Sequence, residues 1–330
     1  MAKSFTINAS KLRQGKPVFH LIRSALILIF ACSALPCAAQ DSGYPVRFYP
    51  DVFTPEGRMT LTPGFSPDGR TIYYAQTECV PIWECPQRLM RSTFDGTSWT
   101  TPEPVSSTQG GRVDYPSVTP DGRYLLFSWQ MPREDLTGFD VDGNFDLWRL
   151  DLEIPGAEPE PMIGPDLARL RAGAVRTLRF VNNETAPNLT EEGDLYFWSE
   201  RLDAIGERDV FVARSDGAGG FQAPEPLPAP INSPSSDEGA WVSADGRTML
   251  INYADRGGCG GSDLFMSRRR EDGTWSDPEN LGCDINSPDE EYAGVITPDG
   301  AQIVFISNRP DGVLDRPTFQ MWATAMPESD

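Results

Sequence analysis

Residues 237–282 read DEGAWVSADGRTMLINYADRGGCGGSDLFMSRRREDGTWSDPENLG, and residues 289–312 begin the same sentence again as DEEYAGVITPDGAQIVFISNRPDG. A repeat a little over fifty residues long indicates units that bury their apolar faces only against their neighbours. Outward from this pair, the same turn recurs at Ser66-Pro67-Asp68-Gly69, Thr119-Pro120-Asp121-Gly122, Thr190-Glu191-Glu192-Gly193, Ser243-Ala244-Asp245-Gly246 and Thr297-Pro298-Asp299-Gly300. Proline presets φ and glycine tolerates positive φ, so these are hairpin residues rather than catalysts.

Each turn leads into a β-branched and aromatic run: Thr71–Tyr74, Tyr124–Phe127, Leu195–Trp198, Thr248–Ile251 and Gln302–Phe305. These are apolar on both faces, as strands sandwiched between neighbouring sheets require. A third strand follows around Leu89, Asp146, Asp209, Asp263 and Gln320. A fourth is marked by proline at Pro102–Val105, Pro159–Met162, Pro224–Leu227 and Pro278–Leu281, which confines it to a sheet edge. The class is all-β: a β-propeller of four-stranded blades, with five blades expected and six as the alternative count. The fifth repeat lacks its outer strand. Pro50-Asp51-Val52-Phe53 is expected to supply it and so close the ring.

The acids at the centre of the turns stand at 68, 121, 192, 245 and 299, and one interval is about eighteen residues too long. The surplus near 164–183 reads as an insertion carrying Arg169, Arg171, Arg176 and Arg179.

The N-terminus carries five basic residues up to Arg23, an apolar run from Ala25, and Cys37-Ala38-Ala39-Gln40. That pattern describes a secretory signal over residues 1–39, too short for a transmembrane anchor, which would place the chain in the periplasm or outside the cell. Cys32 leaves a lipoprotein signal as the lesser alternative. Residues 40–330 then form one propeller domain, expected to be monomeric. The chain's formal net charge of −20 becomes more negative once the basic segment is cleaved. Such a surface repels nucleic acid and anionic lipid. The only histidine, His20, lies in the signal, so Ser-His-Asp, Cys-His and His-ligated zinc chemistry are excluded beyond it. Four cysteines remain. Pairing Cys79 with Cys85 and Cys259 with Cys283 keeps each bridge inside one repeat.

The Ser-Pro-Asp-Gly turns, the Asp263-Leu264-Phe265 strand, the Ser267-Arg268-Arg269 continuation to Leu281, and Ser307-Asn308-Arg309-Pro310 together resemble the TolB-type, WD-like propeller repeats of bacterial envelope proteins. The resemblance spans about residues 50–325 and implies a non-enzymatic module that binds a protein or peptide.

Acids stand where the inner strands begin: Asp114, Glu184, Asp237, Glu238, Glu290 and Glu291. Inner-strand ends converge on a propeller's channel, so these form a candidate ring at its mouth. Such a ring suits a basic partner or Ca²⁺. Asp140, Asp142 and Asn144 space oxygen ligands as a calcium loop does, although Phe145 stands where an EF-hand needs glycine. No other cofactor is expected. The alternative function is a glycan-binding or carboxylate-dependent glycan-processing propeller, which needs two acids and no histidine.

Overall fold

The computed structural model describes residues 43–54, 57–79, 82–105, 107–131, 144–168, 183–201, 204–310 and 318–327. All belong to the unit Ala34–Asp330. The expected signal, the lipidation alternative and the four insertion arginines lie outside these residues.

The strands assemble into five four-stranded antiparallel sheets. From inner to outer strand, blade 1 is Met59–Phe65, Thr71–Thr77, Arg88–Thr93 and Glu103–Pro104, and blade 2 is Val113–Val118, Tyr124–Trp129, Asp146–Asp151 and Glu160–Pro161. Blade 3 is Glu184–Leu189, Leu195–Ser199, Asp209–Ala213 and Glu225–Pro226. Blade 4 is Asp237–Val242, Thr248–Tyr253, Asp263–Arg268 and Glu279–Asn280. Blade 5 is Glu291–Ile296, Gln302–Ser307 and Gln320–Ala325, completed by Val46–Arg47 from the start of the described chain. The inner strands touch in sequence, and the last meets the first, so the sheets form a closed ring. This is a five-bladed β-propeller.

The turns behave as their residue types require. In blade 1 the Gly69 N–H donates to Ser66 O at 2.8 Å, the Arg70 N–H donates to Asp68 Oδ1 at 3.0 Å, and Gly69 sits at φ +68°. Blades 2, 4 and 5 repeat the pattern around Asp121, Asp245 and Asp299. The second strands are buried on both faces; every residue of Leu195–Ser199 and Gln302–Ser307 is buried. Phe127, Phe197, Phe211 and Phe305 are fully enclosed between blades. Trp99, Trp129, Trp148, Trp198, Trp275 and Trp322 are buried, in keeping with a packing role.

Ring closure occurs as expected but through different residues. Val46 pairs with Ala323 and Arg47 with Trp322, whereas Pro50–Phe53 is a short helical turn. The hydrogen bonds give the reason. The Phe48 N–H donates to Met321 O at 3.0 Å, as Val105 donates to Leu89 O, Met162 to Leu147 O, Leu227 to Val210 O and Leu281 to Leu264 O in the other blades. The outer strand is therefore proline, two residues, then an apolar residue whose N–H closes the ladder. Pro45–Phe48 fits that rule as well as Pro50–Phe53 does. Phe53 instead fills the turn towards the next blade. It is wholly buried there, as Leu167, Ile231 and Ile285 are nearly or wholly buried in later turns.

Candidate binding site at the channel mouth

Every inner strand breaks register once, between Leu61 and Pro63, Asp114 and Ser117, Thr185 and Asn188, Glu238 and Trp241, and Tyr292 and Val295. At each break one residue takes positive φ: Thr62, Tyr115, Ala186, Gly239 and Ala293. A bulge bends a strand and re-aims its neighbours. Here five bulges at one level constrict the channel to about 20 Å³, about enough for one water. Trp241 lines both this constriction and the opposite face.

The residue before each bulge, Leu61, Asp114, Thr185, Glu238 and Tyr292, forms a ring, one member per blade. All five line a cavity of about 330 Å³ above the constriction, and Thr62 and Tyr115 from the bulges join them. Further walls come from Arg112, Trp198, Glu200, Arg208, Glu290 and Phe319.

The six acids expected to converge here divide into two sets. Asp114, Glu238 and Glu290 line the cavity. Glu184, Asp237 and Glu291 stand one residue before the ring, where alternation turns them into the wall of the ring, and all three are fully buried. Each meets an arginine that lies two or three residues beyond the second strand: Glu184 with Arg201 at 3.0 Å, Asp237 with Arg256 at 3.6 Å, and Glu291 with Arg309 at 2.9 Å. The same guanidinium then donates to the carbonyl of the buried turn residue of the preceding blade: Arg201 to Leu167 O, Arg256 to Ile231 O and Arg309 to Ile285 O, each at 2.6 Å. These triads tie neighbouring blades together. In blade 1 the Thr60 hydroxyl donates to Phe53 O directly at 2.5 Å. In blade 2 the corresponding residues are Val113 and Met131, both apolar. Burial pushes the Asp237 carboxyl up to about 6 despite its bonds from Ser233 and the nearby Arg256.

The mouth itself is electrostatically mixed. Arg208 donates to Glu200 at 2.7 Å and to Glu238 at 2.6 Å, and its guanidinium lies 5.4 Å from the Trp198 ring centre. Burial nevertheless lifts the Glu200 carboxyl to about 7, with the Arg208 charge opposing the rise. Asp114 accepts from the Thr62 hydroxyl and the Tyr115 N–H, and burial raises its carboxyl above the usual range. Glu290 is raised by burial and by the charges of Asp289 and Glu291. The Tyr292 hydroxyl is pushed up to about 12 by burial and by the charges of Glu290 and Glu238. Arg208 and Glu200 carried no marker in the sequence. Both lie off the inner strands, and only the fold brings them to the mouth.

The remaining candidates fall elsewhere. Asp140 and Asp142 lie outside the described residues, while Asn144 is half-buried beside Phe145, which forms part of the mouth. Among the described residues, no three acids or cysteines gather closely enough to hold a metal ion. Both expected disulfides are present, Cys79–Cys85 and Cys259–Cys283. The first encloses the turn Ile82–Glu84, and Ile82 lines the mouth. Among the described residues no helix is long and apolar enough to cross a membrane.

No family model matches the chain, and no curated protein matches it. Solved structures do share the fold. An α-L-arabinofuranosidase from Lactobacillus brevis superposes at a TM-score of 0.50 and 13% identity, covering 85% of this chain and 94% of that one. A GH62 hydrolase in complex with xylotriose gives 0.50 at 10% identity, covering 86% and 97%. TolB from Acinetobacter baumannii gives 0.48 at 17% identity, covering 82% of this chain. The chain spans only 57% of that TolB's length. At these identities the likeness is one of fold, a β-propeller.

Proposed function

We propose that this chain is an exported, non-enzymatic propeller module that docks a segment of a protein or peptide partner in the bacterial envelope, residues 40–330 acting as one monomeric domain. The observation that carries the reading is the blind cup: one residue from each blade meets above a constriction too narrow to pass a ligand, leaving a cavity of about 330 Å³ open on one side. That volume suits one or two side chains of a partner rather than a large cofactor. The two disulfides fit an oxidising compartment, which agrees with the signal read in residues 1–39. Ring closure leaves no unpaired sheet edge between the two ends of the chain, which favours a single ring as the working unit.

Glycan processing is the second reading, and Glu200 is the observation that favours it. A carboxyl lifted to about 7 is half-protonated at neutral pH, as a general acid needs. Arg208 weighs against it, because one guanidinium bonds both Glu200 and Glu238 and fills the space between them that a scissile bond would occupy. The folds shared with an arabinofuranosidase and a xylotriose-bound hydrolase carry no activity across by themselves.

The experiment is affinity capture from a bacterial envelope extract on the immobilised protein, beside the variant Tyr292→Ala at the mouth and Pro298→Ala on the opposite face. A stoichiometric protein retained by the parent and by Pro298→Ala but lost by Tyr292→Ala supports docking at the mouth. Retention by all three places the partner elsewhere and overturns the reading. Binding or cleavage of xylotriose, abolished by Glu200→Gln, would favour the glycan alternative.

A further inference from the structure

The mouth lacks hydrogen-bond donors where it is richest in acceptors. Asp114 uses one carboxylate oxygen for Thr62 and Tyr115, leaving Oδ2 without a bond from any described residue. Glu238 gives Oε2 to Arg208 and keeps Oε1. Among the described residues Glu290 receives only a long contact of 3.3 Å from Asn308 on Oε2, which leaves Oε1 without a bond from any of them. Blades 2, 4 and 5 thus each present one carboxylate oxygen that no described residue satisfies. Blade 3 adds a second kind of vacancy. Thr185 is 98% buried, stands in the ring between Asp114 and Glu238, and its hydroxyl has no partner among the described residues. A buried polar group left unmatched costs free energy comparable to a lost hydrogen bond, and one facing a cavity marks a place for a ligand atom.

The walls are aromatic. Tyr115 meets Trp198 edge-on at 6.4 Å, and Tyr292 meets Phe319 edge-on at 5.9 Å. Four acids line the cavity against Arg112 and Arg208, so its balance is negative. Aromatic faces beside carboxylates attract cations, more strongly where water is excluded. The acids are too far apart to converge on a metal ion among the described residues, so the cation that fits must itself span them. Two donors also lack partners among the described residues: the Trp198 indole N–H, on the strand paired with Thr185, and Arg112 Nε. A peptide carbonyl would satisfy one, whereas a simple polyamine would satisfy neither.

We infer that the mouth recognises a basic side chain, an arginine or lysine, presented by a peptide: its charged head sits among Asp114, Thr185, Glu238 and Glu290, and its apolar stem lies between Tyr115 and Tyr292. The inference rests on the mouth being the docking face and adds the chemistry that selects the occupant. It also gives the acidic surface a use, since a negative field steers a basic segment towards the ring.

The test is calorimetric titration of the processed protein with acetyl-Gly-Arg-Gly-amide, its lysine analogue and its citrulline analogue, which keeps the shape of arginine and removes the charge. The arginine or lysine peptide should bind at least about tenfold more tightly than citrulline, with affinity falling as salt rises. Glu290→Gln, at a half-exposed position, should erase most of that ratio while leaving citrulline binding unchanged, and Thr185→Val should weaken both charged peptides. Equal binding of the charged and citrulline peptides, no binding by any of them, or a Glu290→Gln variant that keeps the ratio would each overturn the inference. A captured partner that Tyr292→Ala still loses would show that docking at the mouth stands even where selection by charge has failed.

Discussion

Arg309 Nη2 lies 2.9 Å from Glu291 Oε1, and the carboxylate is completely shielded from water. The same oxygen accepts from Ser287 and Ser307, and the same nitrogen donates to Ile285 O. One ion pair therefore joins the outer turn of blade 4 to the first two strands of blade 5. Removing one partner leaves the other charge buried and alone. Glu291→Ala should cost about 3–5 kcal/mol in urea unfolding. Arg309→Lys should recover only part of that, because an ammonium lacks the planar fork that reaches carbonyl and carboxylate together. A variant within about 0.5 kcal/mol of the parent would show that the triads are not structural.

Stability should fall as pH rises from about 4.5 to 7. Glu200 has an ordinary value of 4.5 and is lifted to about 7, and Asp237 goes from 3.8 to about 6. In that window the folded chain holds protons that the unfolded chain has released, so raising the pH favours unfolding. Glu200→Gln keeps the shape and removes the titration. Its Tm should match the parent at pH 5 and exceed it by about 2–4 °C at pH 8, measured by calorimetry. The same difference at both pH values would mean that Glu200 does not titrate in this window.

A β-carbon on Gly64 would lie 2.1 Å from Pro116 O. That contact is backbone against backbone, between the inner strands of blades 1 and 2, so no flexible side chain can yield. Gly64→Ala should destabilise by about 1–3 kcal/mol. Gly57 sits at positive φ with open space around it, and Gly57→Ala serves as the control for backbone strain alone.

The two disulfides should differ in what their loss does. Cys259–Cys283 spans 24 residues and Cys79–Cys85 only 6, so loop closure in the unfolded chain makes the longer bridge worth about 1 kcal/mol more. Replacing the longer pair with serines should lower stability by about 3 kcal/mol. Replacing the shorter pair should act chiefly at the mouth by freeing Ile82, and so weaken peptide binding more than it lowers Tm. Equal effects on binding from both pairs would contradict that division.

Where a local residue type dictates a local shape, the fold was readable in the chain. Pro67-Asp68-Gly69 announces its turn, and the runs that follow announce buried strands. The sequence alone puts the closing strand five residues late, because Pro45–Phe48 and Pro50–Phe53 obey the same spacing rule and only the bond from Phe48 to Met321 O separates them. The acids were a harder case. Asp237 and Glu238 are neighbours, yet one is sealed against Arg256 and the other faces the cavity. Their division depends on the bulge at Gly239. The equivalent bulge residues are Thr62, Tyr115, Ala186 and Ala293, three residue types with no common preference for positive φ. Arg208 was invisible for a related reason, since its role depends on Glu200 and Glu238, eight and thirty residues away. The disulfide pairing was legible because each bridge stays inside its own repeat.

The pairing of Val46 and Arg47 with Ala323 and Trp322 makes the ring's completion an event rather than a gradual accumulation. Blades 1 to 4 draw all their strands from consecutive sequence, so each can form as soon as its own stretch is available. The fifth waits for both ends of the chain. During synthesis, the N-terminal strand must remain unspent until the final strand emerges, and contacts so distant in sequence are the slowest to form. A chain cut short before Gln320 would hold an open arc with two bare edges, a form suited to capture by proteases or to pairing with another copy. The join thus doubles as a check on the integrity of the molecule: only an unbroken chain can turn itself into a circle.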